Sequence, residues 1–284
     1  MSVEQQADLA LRDVPGPSSL GGGWRRSWDL LYIIAVTSFK QTYFGTVLGY
    51  VWSLARPLAL FAVMVTVFTK VLRLDTIPHY PVFLLMNIVL FGFFQEATGI
   101  AVTSVVAQEA VVRKTQFPRL VIPLAVVLTA LFNLGLNLVV VLAFMLGFGV
   151  DPRWTWLLFP VLLVLLLVIT IAFAMILSSL YPRFRDVAII WQVVSTALFY
   201  ATPIIYTADR IGGHETVRRI LAINPISPIF ELARKWIIES SAPGPAAASG
   251  GTLMLLAPAA IYVAICVFAV WVFHREAPLI AEKL

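Results

Sequence analysis

Two ionisable residues stand inside otherwise apolar runs, Arg56 in VWSLARPLALFAVMV and Glu96 in FGFFQEATGIAV. A charge inside a bilayer is costly, so such groups face protein or water and pair where they can. Helices rise 1.5 Å per residue, so Arg56, climbing from the inner surface, and Glu96, descending from the outer one, reach similar depths, roughly 10 Å above the inner boundary. The expectation is an ion pair across a helical hairpin; the alternative is two unrelated groups, each in its own wet cavity. Other chemistry is missing from the pattern. His79, His214 and His274 are isolated from one another and lack the spacing of metal ligands. Cys266 is the single cysteine, which excludes an intramolecular disulfide and a thiolate cluster. The short loops hold no carboxylate pair of the kind glycosyl transfer needs.

These groups have to be positioned by elements that live in lipid. Of the 284 residues, 60% are hydrophobic and 12% charged, and the mean hydropathy is +0.92, far outside the soluble range. The net charge of +5 and pI near 9.5 do not point to nucleic acid, because the basic residues fall between apolar runs instead of forming one patch. Residues 1–23 are polar and rich in Gly, Pro and Ser, without the apolar core of a signal peptide, and read as a disordered cytosolic tail.

A spanning helix needs roughly 20 apolar residues. Six stretches qualify: 47–69, 82–107, 121–148, 155–180, 187–206 and 252–273. Short cytoplasmic loops retain Lys and Arg. That rule places Arg25, Arg26, Lys40, Arg113, Lys114, Arg119, Arg183, Arg185, Arg275 and Lys283 inside, with both termini cytoplasmic. Residues 207–251 would then lie outside; within them AINPISPIFELARKWII is apolar but too short and Pro-broken to span, which suggests a re-entrant pair of short helices. Ahead of the first span, residues 24–45 read as an amphipathic helix in the interface. Arg26, Asp29, Thr37, Lys40 and Gln41 fall on one face and Trp28, Leu31, Tyr32, Ala35 and Phe39 on the other, with Ile33 out of place. The alternative for this helix is one more span, which would invert everything downstream. The fold class is thus all-α integral membrane, with residues 46–284 forming one transmembrane domain.

Four stretches carry a family likeness: TYFGTVLGYVWSLARPL, QEAVVRKTQFPRLVIPL, RFRDVAIIWQVVSTALFYATPIIY and INPISPIFELARKWII. Together they resemble the permease of type 2 ABC exporters, in the polysaccharide and polyol-phosphate branch that carries O-antigen, teichoic acid and related glycans. The resemblance covers nearly all of the chain after its tail. It implies a bacterial inner-membrane protein, working as a homodimer with two copies of a separate ATPase and moving a lipid-linked or polymeric glycan. No GxxxxGKS or GxxxxGKT loop is present to cradle nucleotide phosphates. This chain is therefore expected to hold no cofactor, with ATP and Mg on the partner. The second stretch resembles the loop that docks on the ATPase: Glu109, Arg113, Lys114 and Arg119 offer charge, Phe117 accompanies them, and Pro118 and Pro123 break the helix. Plain positive-inside anchoring is the alternative.

Aromatic faces suit a sliding sugar polymer because they bind apolar C–H faces without fixing register. Tyr50, Trp52, Phe91, Phe93, Phe94, Trp191, Phe199, Tyr200 and Tyr206 are the candidates for a conduit, against ordinary packing or an interfacial belt. Asn224, Pro225, Pro228, Glu231 and Arg234 are expected at the outer mouth as a gate, or as a simple plug. Competing functions are a drug or small-lipid exporter of the same superfamily and an ion-coupled secondary transporter, for which no internal repeat speaks.

Overall fold

The computed structural model describes residues 24–43, 51–71, 78–108, 119–207 and 220–276, and among these the regular structure is helical throughout, with no strand. Lipid offers no hydrogen-bond partner, so an apolar run satisfies its own backbone as a helix. In chain order these are α1 (Trp24–Tyr43), α2 (Val51–Thr66, continued by a π turn over Val67–Val71), α3 (Tyr80–Ala107) and α4 (Val121–Gly147). There follow α5 (Phe159–Leu180, entered through a 3-10 turn at Trp154–Leu158), α6 (Val187–Ala201), α7 (Ser227–Ala233, continued by a π turn over Arg234–Ile238), the short α8 (Pro245–Ser249) and α9 (Leu256–Glu276, entered through Thr252–Leu255). The expected tail, residues 1–23, lies outside the described residues.

Among the described residues, five stretches are long and apolar enough to cross a bilayer: Leu54–Val71, Tyr80–Ala107, Val121–Gly147, Trp154–Leu180 and Thr252–Glu276. The fifth expected span, 187–206, is a shorter helix than its hydropathy suggested. Its 15 helical residues cover about 22 Å, and the helix stops because Pro203 has no N–H and forces Thr202 into an extended conformation, with φ −90° and ψ 142°.

The centre of the bundle is α3. It has the lowest mean hydropathy of the five long helices and is the most buried, because polar side chains in lipid turn toward protein. Asn87, Thr98 and Ser104 are all buried along it. Phe91 and Phe94, both fully buried, set its packing: Phe91 meets Phe199 of α6 edge-on at 5.4 Å between ring centroids, and Phe94 meets Phe173 of α5 at 5.5 Å. The Trp191 indole of α6 lies 6.0 Å from Phe94 and donates its N–H to Thr98 Oγ1 at 3.1 Å.

α5 and α9 run in the same direction. The Tyr262 hydroxyl donates to the Leu165 carbonyl at 2.7 Å, Ala172 and Met175 pack on Ala269 and Phe273, and Arg183 meets Glu276 at 3.6 Å where both helices end. The chain between them must therefore return to the end where α5 began. α6 makes this return antiparallel to α3, and the non-helical residues after it complete the path. Asn87 donates its amide to the carbonyls of Pro203 and Ile204 at 3.3 and 3.4 Å, and the Tyr80 hydroxyl donates to the Ile205 carbonyl at 2.9 Å. From Trp191 beside Thr98 to Ile205 beside Tyr80, this segment follows about 27 Å of α3.

α1 docks on the first half of α4 through a narrow stripe. Leu31 and Ala35 are buried, the Thr129 hydroxyl donates to the Ala35 carbonyl at 3.2 Å, and Phe39 meets Phe132 edge-on at 5.7 Å. Asp29, Thr37, Lys40 and Gln41 are exposed as their face required, but so are Trp28 and Tyr32, expected on the apolar side.

Phe94→Ala is expected to destabilise the bundle by about 3–5 kcal/mol, the range for emptying a packed aromatic site, whereas Phe184→Ala, at a ring that is 52% exposed, should stay within about 0.5 kcal/mol. Tyr80→Phe leaves the Ile205 carbonyl without its donor and should remove about 1–3 kcal/mol. Reversible unfolding in mixed detergent micelles measures all three.

Candidate functional site

The mid-membrane carboxylate is placed by two helices at the same level. Glu96 projects from the middle of α3 and Asn133 from the middle of α4, and Asn133 Nδ2 donates to Glu96 Oε1 at 2.5 Å. Glu96 is half-buried, while Asn133 is 3% exposed. Arg56 lies on the exposed side of α2 and its charge is felt at the carboxylate, but the two form no ion pair among the described residues. The direct Arg56–Glu96 ion pair expected across the hairpin is thus replaced by a charge–amide hydrogen bond. The physical reason is register: Asn133 faces Glu96 at contact distance across a close-packed helix pair, whereas α2 covers α3 only lightly and leaves Arg56 outside. Asn133 was legible as a polar residue in an apolar run, and the rule that singled out Glu96 applies to it equally.

The aromatic candidates divide into two groups. Phe91, Phe93, Phe94 and Trp191 are buried within this chain, and Phe199 is half-buried against Phe91. They form a close-packed wall. Trp52 on α2 and Tyr200 on α6 are both 59% exposed, and the Tyr206 hydroxyl donates to the Tyr200 carbonyl at 3.0 Å, bracing the end of α6. Tyr50 lies outside the described residues.

Along α2, Trp52, Arg56, Val63, Thr66 and Lys70 are exposed at helical spacing on one face. On α6, Gln192, Thr196 and Tyr200 do the same, and Ile189 and Val193 are exposed beside them. These faces mix charge, amide and hydroxyl groups with apolar residues, which a purely lipid-facing surface does not.

The segment expected at the outer mouth is tied down on three sides. Asn224 donates to Thr202 Oγ1 at 2.9 Å and accepts the Ile226 N–H at 3.0 Å, which turns the chain into α7. Pro228 opens that helix, where its missing N–H has no cost, and Phe230 is buried 6.3 Å from the Phe91 ring. Arg234, buried at 7% exposure, pairs with Glu239 at 2.9 Å and lies 5.9 Å over the Phe83 ring. The π turn after α7 frees carbonyls that Thr155 and Trp156 capture: the Thr155 hydroxyl donates to Trp236 O, and the Trp156 indole donates to Ile237 O at 2.9 Å. Pro225 and Glu231 are half-buried, and the Glu231 charge is felt at Tyr206. Thr155, Trp156, Asn87 and Tyr80, which hold these segments, carried no signal in the sequence beyond being polar groups at span ends or within apolar runs.

Of the expected docking loop, Glu109, Arg113, Lys114, Phe117 and Pro118 lie outside the described residues. Arg119 is half-buried, and its carbonyl accepts the Ile122 N–H at 3.3 Å as the chain enters α4.

Comparison with known proteins places this arrangement. The ABC-2 type transporter family model matches residues 29–238, from α1 through the π turn after α7. The O-antigen export system permease protein RfbA of Myxococcus xanthus is 31% identical over 197 residues, which is 69% of this chain and 75% of that protein. Its namesake from Klebsiella pneumoniae is 31% identical over 204 residues, 72% of this chain and 78% of the relative. The five long apolar helices and these similarities together identify a multi-pass membrane protein of the ABC-2 type transporter family, a transport component rather than an enzyme.

Proposed function

We propose that this chain is the permease subunit of an ATP-driven exporter that moves a lipid-linked or polymeric glycan out of the cytosol across the bacterial inner membrane. The observation that carries the reading is the similarity, over most of both chains, to permeases named for O-antigen export. The chain has no phosphate loop of its own. ATP and Mg therefore bind a separate ATPase, and 109–119, with Glu109, Arg113, Lys114, Phe117, Pro118 and Arg119, is the segment that docks on it.

Six crossings follow if α6 and 202–205 count as one. The parallel course of α5 and α9 requires a return between them, and Asn87 and Tyr80 satisfy the backbone that leaves the helix, so this composite can lie in a bilayer. Arg119, Arg183, Arg185 and Arg275 then gather at one end of the bundle, which the positive-inside rule makes cytosolic, with both termini there. α1, exposed along its polar face, lies at that interface.

Two copies pair through the mixed faces of α2 and α6, as two-fold assembly favours, and enclose a conduit lined by Trp52, Tyr200 and Tyr50. The packed wall of Phe91, Phe93, Phe94, Trp191 and Phe199 stands behind it, and the braced segment with Asn224, Pro225, Pro228, Glu231 and Arg234 closes its outer end, with Tyr206 beneath.

Purified alone, the permease should hydrolyse no ATP; hydrolysis by the isolated chain would overturn the proposal. Reversing two charges together, Arg113→Glu with Lys114→Glu, is expected to weaken ATPase association about tenfold, or ~1.4 kcal/mol, as read by co-purification titration; full association would remove the loop from the docking surface. Val63→Cys, on the exposed face of α2, should give cross-linked dimers in native membranes, and a wholly monomeric product would put that face toward lipid.

A further inference from the structure

On the side of α9 turned away from α5, an apolar groove stays uncovered and ends at an arginine. α9 packs on α5 through Ala269 and Phe273, and its Tyr262 hydroxyl reaches the Leu165 carbonyl. The groove lies on the opposite face. It has a volume of about 840 Å³ and runs from Leu256 to Trp271, about 22 Å along the helix. Ala260 and Ala264 leave shallow space beside the larger Val267 and Phe268, and all of these residues are exposed.

One end of the groove is polarised. The Phe268 and Trp271 rings stack at 5.8 Å, and the Arg275 guanidinium lies 5.4 Å over the Trp271 ring. Ring, ring and cation stand three and four residues apart, so they follow one another along one helix face. Stacking engages the flat face of the guanidinium and leaves its edge N–H groups free for an anion. Among the described residues no carboxylate pairs with Arg275: the neighbouring Glu276 is buried and meets Arg183 instead. A second copy is a poor occupant, because two chains of the same membrane orientation meeting through α9 would set Arg275 near its own copy, like charge against like.

We infer that the α9 groove is a binding site for one anionic phospholipid of the cytosolic leaflet, with an acyl chain along Ala260, Ala264 and Val267 and the phosphate on the edge of the Arg275 guanidinium. The orientation proposed above puts Arg275 at the level of the cytosolic headgroups, where anionic lipids attract basic residues. The selectivity needs both parts. An apolar surface alone takes any lipid tail, whereas a guanidinium bonded to phosphate distinguishes a headgroup with net negative charge. Trp271 joins the two, as an aromatic ring at the boundary between hydrocarbon and headgroups. The inference takes its leaflet from that orientation and is independent of the cargo.

The test titrates the complete permease–ATPase complex, delipidated in a neutral detergent, with dioleoyl phosphatidylglycerol, dioleoyl phosphatidylcholine or glycerol 3-phosphate, and counts bound molecules by native mass spectrometry. Wild type should retain one phosphatidylglycerol per permease chain, held more tightly than phosphatidylcholine and not displaced by glycerol 3-phosphate. Arg275→Gln should weaken phosphatidylglycerol about fivefold, the weight of one arginine near anionic lipid, and leave phosphatidylcholine unchanged. Ala264→Phe fills the groove without touching a charge and should weaken both lipids while leaving the lipid-free unfolding temperature unchanged; it also carries the test if Arg275→Gln fails to assemble. Equal affinity of wild type for the two lipids overturns the anionic site, and wild-type affinities in both variants overturn the groove. Displacement by glycerol 3-phosphate overturns the tail contact, since the headgroup alone would then suffice. Efficient cross-linking of Val267→Cys between permeases in native membranes puts a second copy in the groove and overturns the lipid. None of these readouts depends on transport, so the export reading stands or falls separately.

Discussion

A backbone carbonyl released from a helix inside a bilayer has no water to turn to, and this molecule meets that constraint with side chains from other helices. Three carbonyls follow the break at Thr202–Pro203, and Asn87 and Tyr80 of α3 supply their donors. Two more are freed by the π turn after α7, and Thr155 and Trp156 supply theirs. The arrangement of the remaining chain depends on these captures. They allow α6 to be short and still reach the end of the bundle, and they tie the π turn after α7 to the turn that enters α5.

The same constraint explains why the bundle is organised inside out relative to a soluble protein. α5 has the highest mean hydropathy of the long helices, and α3, with the lowest, is the one most covered by its neighbours. Asn87, Thr98, Ser104 and the Glu96–Asn133 pair need protein around them more than the leucines and valines do. α2 has nearly the same mean hydropathy as α3 yet is almost uncovered within one chain. In the proposed dimer its exposed Arg56, Thr66 and Lys70 would face the second copy.

Helix existence and family were legible because each rests on a local property. An apolar run of sufficient length becomes a helix in lipid whatever its neighbours do, and the four family stretches are contiguous strings that lie, whole or in part, within the matched region. The expected 187–206 span was over-long for an equally local reason: hydropathy continues through ATPIIY, but Pro203 ends the helix, and apolarity carries no information about where a backbone stops being helical. Arg56 and Glu96 are identifiable as charges in apolar runs, but depth along a helix does not say which neighbouring helix turns a partner toward Glu96.

The amino-acid sequence by itself determined that the chain lives in membrane, which runs are helical, which charges interrupt them and which family it belongs to, since all four follow from residue type and short-range order. Only the tertiary structure decided that Asn133 and not Arg56 contacts Glu96, that Phe91 and Phe94 are core while Trp52 and Tyr200 are surface, and that Asn87 and Trp156 hold broken backbone. Those outcomes depend on how each helix is rotated about its axis and how far it slides along its neighbours. Rotation and slide are set by contacts between residues distant in the chain, and no single segment contains them.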